Sequence, residues 1–437
     1  MKIMYRKTIF AGILMWSAMT ASAQSGTNSP YSQYGFGTIS EQAGGPGRGM
    51  NGLGIAYREH NQVNALNPAS YASLDSITFI FDVGLSGQLT NFKENGKSVN
   101  AKNANFEYVM AGFRLARRLG LSFGVLPYTN VGYSYSTSQK IDASTTDVFT
   151  TTFTGKGGLH EAYLGLGWEP IKGISFGVNG GYLWGGYDRT VSNSYSDSHV
   201  NTLSKTYSAS VRNYKLDFGL QLSARLSKKD QITLGATYGI GHKIGGKPSC
   251  QVISFNPQTS VADTVSYPRN GELDLEIPTS FGAGLMWYHD GKIKIGVDYT
   301  LQKWSSVKSA EYAVVDNVAD LRLTENCFRD RHKVSLGAEI CPGGEMSRKF
   351  LGRIRYRAGV AYATPYLKIN GHDGPKELTA SLGFGIPILH GWNKPSFLNI
   401  SAQYVRQDCK QFITENTFRI NIGLTFSERW FDKWKVE

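Results

Sequence analysis

The chain has 437 residues, with Gly 50, aromatics 12%, charged residues 18% and a formal net charge of +12. Glycine at about 11%, against an average near 7%, excludes a long-helix or coiled-coil protein. The abundance of aromatic and β-branched residues likewise excludes a disordered chain.

The first residues read as an export signal. Lys2, Arg6 and Lys7 precede a short apolar stretch over 9–18, and Ala21-Ser22-Ala23 supplies a small-residue cleavage site. Residues 1–23 are therefore expected to be removed, leaving Gln24 as the mature N-terminus and a formal charge of +9 once the three basic residues are gone. No cysteine adjoins the site, so no lipid anchor is expected. Beyond it no apolar run approaches the roughly 20 residues of a membrane-spanning helix. The remaining basic residues sit mainly in turns such as Arg117-Arg118 and Lys228-Lys229. They form no stripe of the kind nucleic acid requires, so no nucleic-acid partner is expected.

Residues 24–75 show no sustained alternation and carry eight glycines between Gly35 and Gly54. The run Gly47-Arg48-Gly49-Met50-Asn51-Gly52 fits G-x-G-x-x-G. It follows Pro46 and lies in no βαβ unit, so cofactor binding is discarded. The physical reading is compact irregular backbone fitted into a confined space, where glycine permits close approach. The alternative is a loose periplasmic tail.

From 76 to 437 the sequence is a series of alternating segments. Phe418, Ile420, Ile422, Leu424 and Phe426, for example, alternate with Arg419, Asn421, Gly423 and Thr425. A period of two is a strand. About fourteen strands are counted, starting near Ile77, Phe106, Leu121, Leu159, Ile174, Ser208, Gln231, Leu273, Ile293, Lys333, Arg353, Leu378, Phe397 and Thr417. Connections after even-numbered strands are mostly short (117–120, 169–173, 227–230, 289–292). Those after odd-numbered strands are mostly long and polar (138–157, 190–205, 245–271, 305–330). A soluble sandwich has no reason to alternate in this way, whereas transmembrane barrels have short periplasmic turns and long outer loops. Aromatics near strand ends agree: Trp168, Trp287, Tyr288, Trp392 and Trp430 on the turn side, Trp184 and Trp304 on the loop side. The expected fold is an all-β, antiparallel transmembrane β-barrel of about 14 strands with an N-terminal plug. Its expected place is the outer membrane of a Gram-negative bacterium, in contact with membrane lipid and lipopolysaccharide.

At residues 24–75 a family resemblance appears. The run Gly45-Pro46-Gly47-Arg48-Gly49-Met50-Asn51-Gly52-Leu53-Gly54-Ile55-Ala56, followed by Asn64-Ala65-Leu66-Asn67-Pro68-Ala69, resembles the N-terminal hatch of FadL-type outer-membrane transporters. Ser29-Pro30-Tyr31-Ser32-Gln33-Tyr34-Gly35-Phe36-Gly37 is similar to the version in Bacteroidota members, a group that includes PorV-like barrels. The resemblance implies a fourteen-stranded barrel closed by a hatch and carrying hydrophobic compounds. It assigns the hatch motif to Gly47, Gly49, Gly52, Gly54, Asn67, Pro68 and Ala69. In the third strand, Gly124-Val125-Leu126-Pro127-Tyr128-Thr129-Asn130-Val131-Gly132 contains a proline that cannot donate to the ladder, marking an edge, bulge or break. With the gap known for the family's third strand, Gly124, Pro127 and Gly132 become candidates for a lateral opening; a harmless bulge is the alternative. Pro278 and Pro387 also fall in expected strands.

Cys250, Cys327 and Cys409 fall in expected outer loops, where one bridge is possible, and Cys341 at a periplasmic turn; connectivity is not legible. No Cys/His spacing forms a metal site, and no cofactor is expected. His160-Glu161 and Asp330-Arg331-His332 are the nearest acid–base neighbours, but adjacent strand residues face opposite sides, so no enzyme is expected. The expected function, resting mainly on the resemblance, is passive uptake of a small, fatty-acid-like hydrophobic molecule with lateral release. The alternative is a non-transporting accessory barrel in an outer-membrane protein assembly or secretion complex, and an open porin is disfavoured by the hatch.

Overall fold

The computed structural model describes residues 26–94, 96–141, 147–268, 271–315, 318–345, 347–391, 394–409 and 412–429. The stretch 1–23 read as an export signal, Trp392 and Trp430 lie outside these residues. Fourteen antiparallel strands form the wall: β1 (Thr78–Glu94), β2 (Lys97–Ala116), β3 (Leu119–Lys140), β4 (Val148–Ile171), β5 (Ile174–Tyr195), β6 (Thr202–Arg225), β7 (Asp230–Gly239), β8 (Ser280–His289), β9 (Ile293–Gln302), β10 (Arg331–Ile340), β11 (Arg355–Ala363), β12 (Lys376–Gly391), β13 (Lys394–Asp408) and β14 (Thr414–Arg429). Each pairs with the next, and β1 pairs with β14 from Thr78↔Arg429 to Lys93↔Thr414, so the sheet closes. Joining the first strand to the last removes the free edges an open sheet would expose, which is what makes a β-structure tenable in lipid. The outward positions are apolar, among them Leu85, Leu164, Leu166, Leu234, Leu336, Leu382 and Ile422.

Two features depart from the sequence expectation. β3 to β6 run for 22 to 24 residues, and the segments read as the loops 138–157 and 190–205 are mostly strand. Spanning the membrane needs only about 9–11 residues, so these strands rise well beyond it. Cross-strand hydroxyl pairs hold them there: Ser136 with Thr152, Ser138 with Thr150, and Thr190 with Thr206 at 2.9–3.0 Å. The hairpin Ser249–Asn256 and Val261–Tyr267 extends this sheet by pairing with the outer end of β6. A second hairpin, Ser309–Val315 and Val318–Thr324, packs over it through Leu321 against Cys250 and Tyr267. The eighth wall strand starts at Ser280 instead of near Leu273, because Asp274–Ile277 pairs with His242–Gly246 in a separate two-stranded piece.

Three placements are corrected. Tyr288 points inward, its hydroxyl hydrogen-bonded to the backbone N–H of Arg58, and Trp304 is fully buried under the outer loops. Both rings have interior apolar and polar partners, which end-of-strand position alone does not reveal. Pro278 lies in the connection before β8, not in a strand. Pro387 is in β12, where the register slips between Pro387 and Leu389. None of the four cysteines is disulfide-bonded. Burial, and then the Glu311 carboxylate, push the Cys327 thiol up to about 12.

Candidate functional site

Residues 26–77 are short pieces of irregular backbone: a 3-10 turn at Pro30–Gln33, the two-residue strand Thr38–Ile39, a single helical turn at Gly45–Arg48, and a 3-10 helix at Pro68–Ser73. Most of these residues are buried, and their contacts reach strands all round the wall. The segment therefore lies inside the ring.

Glycines on the inner face of the wall form its seat. A Cβ on Gly177 of β5 would lie 2.2 Å from the Pro68 carbonyl carbon, and one on Gly167 of β4 2.5 Å from the Pro68 oxygen. On Gly235 of β7 it would lie 2.2 Å from the Ile55 oxygen, and on Gly359 of β11 2.7 Å from Met50 backbone. Backbone thus rests directly on backbone, an approach only glycine permits.

The motif residues expected from sequence take up specific places. Asn67 is fully buried; its side-chain amide donates to the Ile55 carbonyl (2.7 Å) and the Leu220 carbonyl (3.2 Å), and its side-chain oxygen accepts from Ala69 N–H (3.1 Å). It caps the 3-10 helix that Pro68 opens, and it ties that helix both to the Gly-rich run and to β6. Gly52 adopts φ +80°. Gly49 lies against the Arg357 side chain, Gly47 against Ala43, and Gly54 against Leu66. Gly54 and Ile55 both donate their N–H groups to Asp298 of β9, at 2.6 and 2.8 Å.

Sequence reading missed the charged side chains that fasten this segment to the wall. Arg48 pairs with Glu107 of β2 at 2.9 Å, Arg58 with Glu169 of β4 at 2.8 Å, and Glu59 with Lys294 of β9 at 2.6 Å. Lys294 also holds Glu339 of β10 (2.7 Å), which in turn binds Arg357 of β11 (2.6 Å). Charged residues at inward strand positions, such as Glu107, Lys294, Glu339 and Arg357, were the available signal, but alternation does not say what such residues face.

Two interior regions could accept a ligand. The central one is a cavity of about 130 Å³ lined mainly by polar and charged residues, including Gln88, Glu107, Lys333, Glu377, Gln403 and Arg419. The outer one is apolar but filled: Trp304 stands 4.8 Å from Tyr366, 5.8 Å from Phe328 and 6.0 Å from Phe36 (centroid distances), with Leu159, Leu183 and Val211 buried in the same cluster. His160 and Glu161 face opposite sides, as expected: His160 stacks on Trp184, while Glu161 binds Lys215 at 3.1 Å.

At the third strand the wall changes. β2 and β3 pair only from Val109↔Val125 to Ala116↔Leu119; beyond that, toward the outside, no pairing joins them among the described residues. Gly124 is in the paired part. Pro127 stands at a bulge in the β3–β4 ladder, where the register slips between Pro127 and Thr129. Gly132 exchanges bonds with the Ser32 hydroxyl. Thr38 and Ile39 pair with Asn130 and Thr129 on the edge that β2 leaves bare. Within 124–132, then, Pro127 marks the bulge and Gly132 the covered edge.

The closed fourteen-stranded antiparallel barrel matches the fold of FadL-like outer-membrane barrels. Solved structures agree: the monoaromatic hydrocarbon channel CymD (TM-score 0.56, 16% identity, 89% of this chain and 98% of that one), the P. putida toluene transporter TodX (0.58, 14%, 90% and 100%) and a Pseudomonas aeruginosa FadL homologue (0.54, 15%, 88% and 97%). At such identity the likeness is one of fold. A family model described as BamG matches residues 4–437, and the chain belongs to the BamG family. No curated protein matches at a significant level.

Proposed function

We propose that this chain is a closed, non-conducting barrel of the Gram-negative outer membrane, serving as an accessory subunit of an outer-membrane protein assembly. The observation that carries this reading is the filled interior. Residues 24–75 act as a plug, fastened by buried ion pairs to β2, β4 and β9. The apolar chemistry a hydrophobic ligand needs is occupied by packed rings, and the central cavity is polar. The resemblance to PorV-like barrels points the same way. Fold alone implies no activity.

A second reading, uptake of a small hydrophobic molecule, draws on the fold of the hydrocarbon channels and on the loss of β2–β3 pairing. In that reading Gly47, Gly49, Gly52, Gly54, Asn67, Pro68 and Ala69 form a hatch, and Gly124, Pro127 and Gly132 flank a lateral exit. Purification of the native protein in mild detergent, with mass spectrometry of both proteins and small molecules, separates the two. The accessory reading expects a stoichiometric set of outer-membrane proteins and an empty lumen. A lone barrel carrying a bound fatty acid or similar lipid would overturn it and establish uptake.

A further inference from the structure

Above Val109 and Val125 the wall splays into two edges, and the hydrogen-bonding sense of each is fixed. In an antiparallel ladder, alternate residues direct both backbone groups to the same neighbour. On β2 the Lys102 carbonyl accepts from the Asn28 side chain (3.1 Å), and the Ala104 N–H donates to the Asn103 side chain (2.8 Å). The even-numbered residues of β2 therefore face away from β1, into the splay. On β3 the Tyr128 carbonyl accepts from Ser40 N–H (3.0 Å), and Gly132 bonds to Ser32. The even-numbered residues of β3 thus face the same space. Side chains of Asn28, Asn103 and Ser32 here do the work of an absent strand. Further outward even these substitutes end. The backbone groups of Ser98 and Asn100 on one edge, and of Ser134, Ser136 and Ser138 on the other, have no partner among the described residues.

We infer that the space between β2 and β3 is a docking slot for an extended strand supplied by another outer-membrane protein. This names the partner chemistry of the accessory reading and rests on it. A hydrocarbon or lipid tail offers nothing to backbone N–H and C=O groups, whereas a strand satisfies both edges. Charge narrows the occupant further. Lys97 stands opposite Glu94, but Lys102 on β2 and Lys140 on β3 form no ion pair among the described residues, so the entering strand carries Asp or Glu beside its backbone contacts.

Backbone recognition makes a sharp test. Proline at Asn100 or Ser136 removes an N–H that faces the slot and spares the backbone bonds to β1 and β4, while the side-chain bonds to Asn91 and Thr152 are lost equally in the alanine variants. Alanine at the same positions keeps the N–H. A photo-reactive benzophenone side chain at Ser98 or Ser138, used in living cells and followed by peptide mapping, reads the occupant. Cross-links from both edges are expected to converge on one extended, acidic stretch of one outer-membrane protein. Asn100→Pro with Ser136→Pro is expected to weaken them roughly tenfold, as losing one or two backbone bonds would. Asn100→Ala with Ser136→Ala leaves them unchanged. Heat-modifiable migration on gels confirms that every variant folds. Equal cross-linking in the proline and alanine variants overturns the slot, as do cross-links to lipid alone or to a second copy of this chain. An intact assembly without these cross-links overturns the slot but leaves the accessory reading standing. A barrel that purifies alone overturns both.

Discussion

Asn67 connects three parts of the molecule through one amide, bonding the Gly-rich run, the 3-10 helix and strand β6. Asn67→Ala strips the Ala69 N–H of its partner and takes one donor from the Ile55 carbonyl, which keeps Gln221, and one from the Leu220 carbonyl, so a loss of about 1–3 kcal/mol is expected in urea unfolding. Gly177→Ala sets a methyl group against the Pro68 carbonyl carbon. It is expected to loosen residues 64–73, seen as faster cleavage there by an added protease while the wall stays folded. His60, at the turn-side mouth, carries the pH dependence. Its hydrogen bond to Asp75 (3.0 Å) raises its pKa above the ordinary 6.5, with the carboxylates of Asp75, Glu59 and Glu345 adding to the effect against burial. Because the folded value lies above the unfolded one, this contribution is complete below about 6.5 and is lost as pH rises through the raised value. Hydrogen exchange across residues 58–75 is therefore expected to quicken above neutrality beyond its intrinsic rate, and His60→Gln to erase the difference.

At the scale of elements, the buried cluster on β9, β10 and β11 is the most sensitive point. Glu339 is 1% exposed and answers the charges of Lys294 and Arg357 together. Glu339→Gln leaves the buried Arg357 without a carboxylate and Lys294 with Glu59 alone, at a cost of about 3–5 kcal/mol, measurable as a lower midpoint of urea unfolding. Strand number was legible because lipid imposes a period of two on each strand. The outer halves of β3 to β6 were not legible. Their Ser and Thr ladders have no apolar face once they leave the membrane, and they read as loops. Nor could alternation show that Trp304 closes an interior cluster or that Tyr288 turns inward, since both depend on what fills the lumen. Pro127 did signal a bulge, but the larger event, the parting of β2 from β3, leaves no mark in β2.

For the molecule as a whole, the decisive quantity is whether the lumen conducts. A fourteen-stranded ring is too wide for its own side chains to fill, and residues 26–75 supply the difference. The full chain is expected to give no steps in a planar bilayer. A variant lacking residues 26–75, taken from the fraction that migrates as a folded barrel, is expected to conduct. Steps from the intact chain would mean that the segment leaves a path.

The seat of inward glycines also sets an order of events during biogenesis. The N-terminal segment is made first, yet the backbone it rests on belongs to β3 through β12, and β14 pairs with β1 only after the whole chain has emerged. The first residues must therefore wait, unsupported, while a sheet curls around them, and they gain their final contacts only as the seam shuts. A fault in the last strand would thus expose the beginning of the chain. Proteolysis of residues 26–75 would be an early sign of a barrel that failed to close.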